Sequence, residues 1–316
     1  MLITAPLRHR DFRLLWTGMA VSLLGDGVFV VAVAWEAYSI SNRPSALAYV
    51  GLATSAPQVA LLLLGGAVSD RFPRRTVLLW ADVTRALAVA ALSVMVARGS
   101  PHLYELCLAG AVIGAATAFA SPAFDALIPQ LVPEGQLTHA NAIEQFVRPS
   151  ALQLAGPALG GLTVAVLGAA GSLALDAATF VFSGLCVKRM ASVAVPPPAS
   201  TNLWQEMASG MRYVKSQVWL WGTFASAALT YLLFIGPTQV LLPFIIRDSL
   251  HEPASAYGLV LSVGGAGALV GAVWSGHRPH PKRAMSWAYS CWTVATLGVA
   301  GYGVATRVWS LAVVAV

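Results

Sequence analysis

The chain has 316 residues, of which 57% are hydrophobic and 10% charged, and it carries a net charge of +6. A soluble domain carries roughly 25% charged residues, so a protein that wets its whole surface is excluded. The positive charge does not indicate nucleic acid, because the basic residues sit at the ends of apolar runs.

Those runs give the predicted elements. Thr4 to Arg13 is a short basic start, and the run after it is long enough to span, so no cleaved leader is expected. About 20 mostly apolar residues cross a hydrocarbon core as a helix. Helices are predicted at about 14–37, 47–68, 76–97, 104–126, 147–167 and 171–187. A polar stretch follows, then helices at about 219–243, 256–274 and 285–305, and a tenth begins near Trp309. Strand-type alternation is absent, which argues against a barrel. In lipid only helices or closed barrels satisfy the backbone, so the fold class is an all-α polytopic membrane protein.

Charge sets the expected orientation. With the N-terminus in the cytoplasm, fourteen of the nineteen basic residues fall inside, among them Arg8, Arg10, Arg71, Arg148, Lys188 and Lys282. Only Arg43, Arg98, Arg247 and Arg307 fall outside, and Arg85 lies within a helix. The expected location is therefore the cell membrane, multi-pass, with a cytoplasmic N-terminus.

The one long break divides the chain into an N-terminal six-helix bundle (1–190), a cytoplasmic linker (191–218) and an incomplete C-terminal bundle (219–316). The linker opens on Lys188-Arg189 and the stiff run Pro196-Pro197-Pro198. Leu203, Met207, Met211 and Val214 then recur at helical spacing beside Glu206, Arg212 and Lys215, as in an amphipathic helix lying on the inner membrane surface. An internal repeat supports two bundles. Gly66-Ala67-Val68 runs into a basic, proline-containing turn, and Gly271-Ala272-Val273 does the same ahead of Arg278, Pro279, Lys282 and Arg283. If the eighth helix repeats the second, the unit is six helices, and the sequence stops in the tenth of twelve. If Val316 were the true terminus, one half of the cavity would lie open to lipid and the chain would be a non-transporting remnant.

The turn after the second helix carries the most specific motif. Gly66, Asp70, Arg71, Arg74 and Arg75 fit Gly-x-x-x-Asp-Arg-x-x-Arg-Arg. A small residue at a helix end lets a neighbouring helix approach closely, and an acid among bases can form ion pairs that break and re-form. Positive-inside decoration alone would explain the arginines, but not the glycine and aspartate at this spacing. In the fifth helix stands Gly156-Pro157-Ala158-Leu159-Gly160-Gly161. Its proline removes a backbone donor and kinks the helix, and its glycines bring another backbone close. A packing kink would need no function.

With these motifs the chain resembles the major facilitator superfamily, whose loop between helices two and three has the first pattern, and the resemblance covers the whole chain. It implies a major facilitator fold of two six-helix bundles, the second incomplete, with nine to ten helices present. Gly156, Pro157, Gly160 and Gly161 look like the antiporter motif of the drug exporters. Phe12-Arg13-Leu14-Leu15-Trp16, Gly25-Asp26, Ser121-Pro122-Ala123, Ile128-Pro129 and Ala140-Asn141 look like the macrolide and siderophore exporter branch. Two departures stand out. Pro73 lies where the family usually has glycine, and no basic residue lies between Tyr104 and Leu127, where proton-coupled drug exporters often carry one.

Ionisable groups at bilayer depth are costly and normally face a partner or a wet cavity. Asp26 lies deep in the first helix between Gly25 and Gly27, and Glu36 lies nearer its outer end. Asp26 is the expected proton-coupling residue, since an acid in a low-dielectric cavity can take and release a proton near working pH; the alternative is a packed acid bonded to neighbouring hydroxyls. Glu36 and Asp176 are further coupling or substrate candidates, unless they simply reach the outer interface. Asp82 and Arg85, three residues apart on one helix face, read as a structural pair. Asp125, ending the fourth helix, resembles the family's acid that meets the signature-loop arginine.

No enzyme constellation appears. The six histidines lie in loops or near helix ends, Cys107, Cys186 and Cys291 lack metal spacing, and no Walker lysine follows Gly264-Gly265-Ala266-Gly267. No cofactor or metal is expected. The reading is a monomeric secondary exporter of an amphipathic small molecule of drug, macrolide or siderophore type, exchanging it for protons. An importer or facilitator of the same fold is the alternative. Tyr231 and Phe234 in the seventh helix would suit an apolar substrate and equally lipid.

Overall fold

The computed structural model describes residues 4–99, 101–191, 203–230, 236–276, 284–303, 305 and 307–315. Pro196–Pro198, Tyr231, Phe234, the basic turn with Arg278, Pro279, Lys282 and Arg283, and Val316 lie outside the described residues.

Helices account for nearly all of what is described. They are α1 (Arg10–Ile40), α2 (Pro44–Arg71), α3 (Arg74–Ala97), α4 (Leu103–Leu131), α5 (Leu137–Pro149), α6 (Gly156–Lys188), α7 (Leu203–Ser216), α8 (Val218–Thr230), α9 (Gly236–Phe244), α10 (Ala254–Gly276), α11 (Ala284–Val299) and α12 (Val308–Ala315). No strand occurs among the described residues. The limits differ from the hydropathy reading where polar ends are helical too. α1 begins at Arg10, not near residue 14, and its 31 residues make a rod of about 46 Å, longer than the roughly 30 Å hydrocarbon core. α4 runs on to Leu131, so Asp125 lies within it, not at its end.

Prolines and caps set the boundaries. Pro44 stands in the first turn of α2, and α2 stops at Phe72, ahead of Pro73, because the residue before proline is pushed to extended geometry. α4 starts with a reciprocal cap between His102 and Glu105.

The apolar run Gly156–Lys188 is two spans folded at Gly168, whose φ is +72°. Glycine reaches that region without steric cost. Across the fold the Ser172 hydroxyl donates to Thr163 Oγ1 at 3.1 Å and to the Gly168 carbonyl at 2.9 Å. Residues nine apart on a straight helix would stand about 13–14 Å apart, so the chain reverses here. Thus α6 supplies the upper part of the fifth span and the whole sixth.

The first six spans form a bundle in which α1 lies against α6, α2 against α4, and α3 against both α4 and α6. Two buried clusters fill it. The cluster at the end bearing the N-terminus contains Phe12, Leu15, Trp16, Leu78, Phe124, Leu127 and Val187, all from the first six spans. The cluster toward the opposite, far face joins Val31, Val89, Leu106, Leu173 and Phe180 to Leu242, Ile246, Tyr257, Val260 and Leu311 of the later helices. The two halves therefore share a core toward the far face. Large apolar side chains on the outer surfaces, such as Leu52, Val59, Trp80, Leu108 and Val166, are exposed, as befits helices facing lipid.

Candidate functional site

Asp26 sits midway along α1, partly buried, and the glycines beside it decide what can approach. A Cβ on Gly25 would fall on Thr179 Oγ1 and Asp176 Oδ1 of α6. A Cβ on Gly27 would come within 2.6 Å of the Gly156 Cα. Gly25 thus lets α1 lie against the polar face of the sixth span and Gly27 against the kink of the fifth, with Asp26 between them in sequence.

That polar face is Asp176, Thr179, Phe180 and Ser183, at the i, i+3, i+4, i+7 spacing of one helix stripe. Asp176 is fully buried and does not reach the outer interface. Thr179 Oγ1 lies 3.3 Å from its Oδ1, and its Oδ2 has no hydrogen-bond partner. Ser183 donates to Asp82 Oδ2 of α3 at 2.8 Å, and Arg85 donates to Asp82 Oδ1 at 2.6 Å. Arg85 also lies over the Phe180 ring at 4.7 Å, a cation–π contact strengthened by burial. The charge of Arg85 reaches Asp26, Asp82 and Asp176 alike, and that of Arg148 reaches Asp26. The structure brings the Asp82–Arg85 pair, which the sequence already reads as a pair, within electrostatic reach of Asp26 and Asp176, which the sequence presents apart from it. Thr179, Phe180 and Ser183 were missed, although their spacing from Asp176 was there to be read.

Glu36 lies elsewhere, ten residues or about 15 Å up α1. Arg247, which follows α9, donates to the neighbouring Trp35 carbonyl at 3.2 Å, lies over the Trp35 ring at 5.4 Å, and its charge reaches Glu36. One turn away Tyr38 donates to the Val240 carbonyl at 2.6 Å. Glu36 belongs to this far-face junction between the halves.

The Gly-Pro motif forms the other junction. Pro157 has no N–H, and the helix ahead of it relaxes into a wider π-helical turn over Ser150–Ala155. α10 lies against the carbonyls of this turn: Ser262 donates to the Leu154 carbonyl at 2.8 Å, and Gly265 packs directly on the Gln153 carbonyl. Gly160 packs on Val28 and Val31 of α1, whereas Gly161 faces Ser255 and Gly258 of α10, with Gly258 against the Pro157 carbonyl. The four motif positions thus fit one helix between two others.

In the signature turn, Asp70 and Arg74 form an ion pair at 3.7 Å, and Arg74 donates to the Ala126 carbonyl of α4 at 2.9 Å. Arg75 donates to the Val187 carbonyl at 3.0 Å and to that of Lys188, the last carbonyls of α6. Arg74 therefore meets the α4 backbone one residue past Asp125. Asp125 itself is exposed and lines a cleft of about 200 Å³ with Ile128, Pro129, Leu137, Asn141 and Glu144. Glu144 is paired to Arg148 at 2.8 Å. Gly66, expected to admit a close neighbour, faces open space among the described residues; the glycine that does so is Gly65, where a Cβ would fall on the Ala118 carbonyl. The adjacent position is turned about 100° round the helix, away from this contact.

Among the described residues no group of three His, Cys, Asp or Glu could hold a metal ion.

With this geometry in hand, the comparisons with known proteins are consistent. The chain is similar to the multidrug efflux pump Tap of Mycolicibacterium fortuitum, 27% identical over 87% of this chain and 68% of that protein. It is also similar to the enterobactin exporter EntS of Shigella dysenteriae, 25% identical over 87% of this chain and 65% of that protein. It spans about two thirds of the length of these curated relatives. A crystal structure of a bacterial homologue of the iron transporter ferroportin in the inward-facing state superposes with a TM-score of 0.68 over 97% of this chain and 79% of that one, at 17% identity, which establishes the likeness of fold. These are transporters, not enzymes. The family model described as transmembrane secretion effector matches residues 3–316, and the chain belongs to that family, within the major facilitator superfamily.

Proposed function

We propose that the chain is the transport core of a secondary exporter that moves an amphipathic small molecule of drug, macrolide or siderophore type out of the cell in exchange for protons. The observation that carries this is Asp26: a carboxyl midway along α1, one residue from the Gly27–Gly156 crossing and close to where α10 meets α6. A group so placed can change protonation as the nearby α6–α10 junction between the halves opens and closes. The names of the relatives support export and the chemical range of the cargo.

In this reading the end bearing the N-terminus is cytoplasmic, as the distribution of basic residues favours. The shared core toward the far face then supports a state closed to the outside. The lines drawn at residues 190 and 218 mark two bundles and a surface linker, and α7 at Leu203–Ser216 is the helix that the linker's spacing anticipates.

The test is efflux of fluorescent dyes, macrolides and siderophores by reconstituted vesicles under an imposed pH gradient, with Asp26→Asn alongside. The native protein concentrates at least one probe uphill, and Asp26→Asn retains only downhill exchange. Uphill accumulation by Asp26→Asn would move the coupling away from this residue.

A further inference from the structure

We propose that Gln153, in the π-helical turn ahead of Pro157, is a cargo-binding residue whose amide faces the space between the two halves and hydrogen-bonds an uncharged hydroxyl or carbonyl of the transported molecule. The proposal rests on the exporter reading and deepens it by naming one contact and the chemistry that contact selects.

The neighbours of the fifth span fix where Gln153 points. Gly156 and Gly160 lie on α1, and Gly161 lies on α10. Leu159, Leu162 and Val166 are exposed and form the lipid face. Counted from Gly156 at about 100° per residue, the α1 side centres near about 20°, Gly161 stands at about 140°, and the lipid face centres near about 275°. The inward direction, between α1 and α10 and opposite the lipid, is then about 80–95° on the same count. Gln153 falls at about 60° on a regular helix, and the wider π turn moves it toward α10, to no more than about 120°. Both values lie on the inward arc, and Gly265 of α10 against the Gln153 carbonyl agrees with them.

That arc changes character along the helix. Pro157 and Val164 also lie on it, at about 100° and 80°, and both are buried, Val164 in the core that the halves share toward the far face. Gln153, one turn nearer the end bearing the N-terminus, is exposed. The inward surface of the fifth span is thus closed from Pro157 upward and open at Gln153. What Gln153 is exposed to is the gap between the halves, not lipid.

An amide offers two donors and an acceptor, and leaving them unmet in an apolar setting is costly. Among the described residues the Gln153 side chain has no hydrogen-bond partner. The backbone around it is already committed to α10, through Gly265 and through the bond from Ser262 to the Leu154 carbonyl. The turn is therefore held while its polar side chain is left over. Asp26 precedes Gly27 by one residue, Gln153 precedes Gly156 by three, and the two glycines meet, so the amide stands within about 3 Å of the level of that acid. An amide does not titrate, so its bond to cargo is the same in both protonation states of Asp26. Gln153 then serves affinity, and it favours cargo rich in hydroxyls and carbonyls.

The experiment has two arms. In the first, Gln153→Cys and Leu162→Cys, each with Cys107, Cys186 and Cys291 changed to alanine, are treated with a charged thiol reagent in open membrane fragments, which it reaches from both faces. Gln153→Cys is expected to react and Leu162→Cys to stay unmodified in hydrocarbon. No reaction at Gln153→Cys, or equal reaction at both, would overturn the placement. In the second arm the chain in lipid is titrated with erythromycin, which carries hydroxyls and a lactone carbonyl, and with tetraphenylphosphonium, which has no hydrogen-bonding group. Gln153→Leu is expected to weaken erythromycin about three- to tenfold, the worth of one hydrogen bond, and to leave tetraphenylphosphonium unchanged. Equal losses for both probes, an unchanged erythromycin affinity, or a native chain that does not bind erythromycin would overturn the cargo role. The labelling needs neither cargo nor transport, so a failure of the exporter reading and a failure of the placement are told apart.

Discussion

Gly27 of α1 and Gly156 of α6 meet backbone to backbone, with the place of a missing Gly27 Cβ only 2.6 Å from the Gly156 Cα. No side chain fits there unless the helices separate, and overpacking a tight contact costs about 1–3 kcal/mol. Gly27→Val is therefore expected to lower the thermal unfolding midpoint in detergent, followed by tryptophan fluorescence. Gly51, where a Cβ would meet nothing within 4 Å, is the comparison: Gly51→Ala is expected to leave the midpoint almost unchanged. Equal losses at both positions would remove the special status of the crossing.

The Asp82–Arg85 pair is expected to behave as structure. Both side chains are largely buried, at 4% and 12% exposure. Removing one partner of such a pair leaves an uncompensated charge, at a cost of about 3–5 kcal/mol. Asp82→Asn and Arg85→Gln should each destabilise strongly in denaturant titrations, and the double variant should lose much less than the sum. Additive losses would mean that the two residues act independently.

The signature turn divides into a part that closes the end of α6 and an exposed part. Arg75 closes the last carbonyls of α6, and Arg75→Gln is expected to cost about 1–2 kcal/mol, as charged donors to carbonyls do. The Asp70 side chain is 73% exposed and stands 3.7 Å from Arg74, a geometry that contributes under about 0.5 kcal/mol. Asp70→Asn should therefore leave the unfolding midpoint in place and slow vesicle efflux. Normal efflux at normal expression would make the Asp70–Arg74 contact incidental.

Topology can be checked on the described turns. Pro73→Cys and Asn42→Cys lie on opposite ends of α2, both exposed. A membrane-impermeant thiol reagent applied to intact cells should label Asn42→Cys and spare Pro73→Cys. The reverse pattern would invert the orientation, and labelling of both would break the span count.

What the sequence made legible was whatever follows from local pattern. Apolar runs placed the spans, and the Gly-Pro motif marked the fifth as a contact helix. It could not show that Gly156 and Gly160 face α1 while Gly161 faces α10, because that depends on which helices become neighbours. Asp176 illustrates the same limit. Counted along its helix it stands near the outer end, yet it is buried because Gly25, 151 residues earlier, leaves room for it. The amphipathic helix α5 was readable but passed over: Ala140, Ile143 and Val147 alternate with Asn141, Glu144 and Arg148 at helical spacing, and the hydropathy scan started the fifth span only at about residue 147. Gly66 failed by one position, where a rotation of about 100° separates the glycine that packs from its neighbour.

The hydroxyl of Ser262 has one proton and two carbonyls within reach: Leu154 across the junction at 2.8 Å and Gly258 on its own helix at 2.7 Å. When α10 draws away from α6, the donor is not stranded, because it falls back on its own helix. Only the Leu154 carbonyl is released, and an acceptor bared at an opening cleft is met by water. The junction is thus fastened by a bond that can be exchanged without leaving a buried donor empty. In the exporter proposed above, a hinge that opens and closes on every cycle wants this kind of clasp, one that holds the closed form without making its release slow.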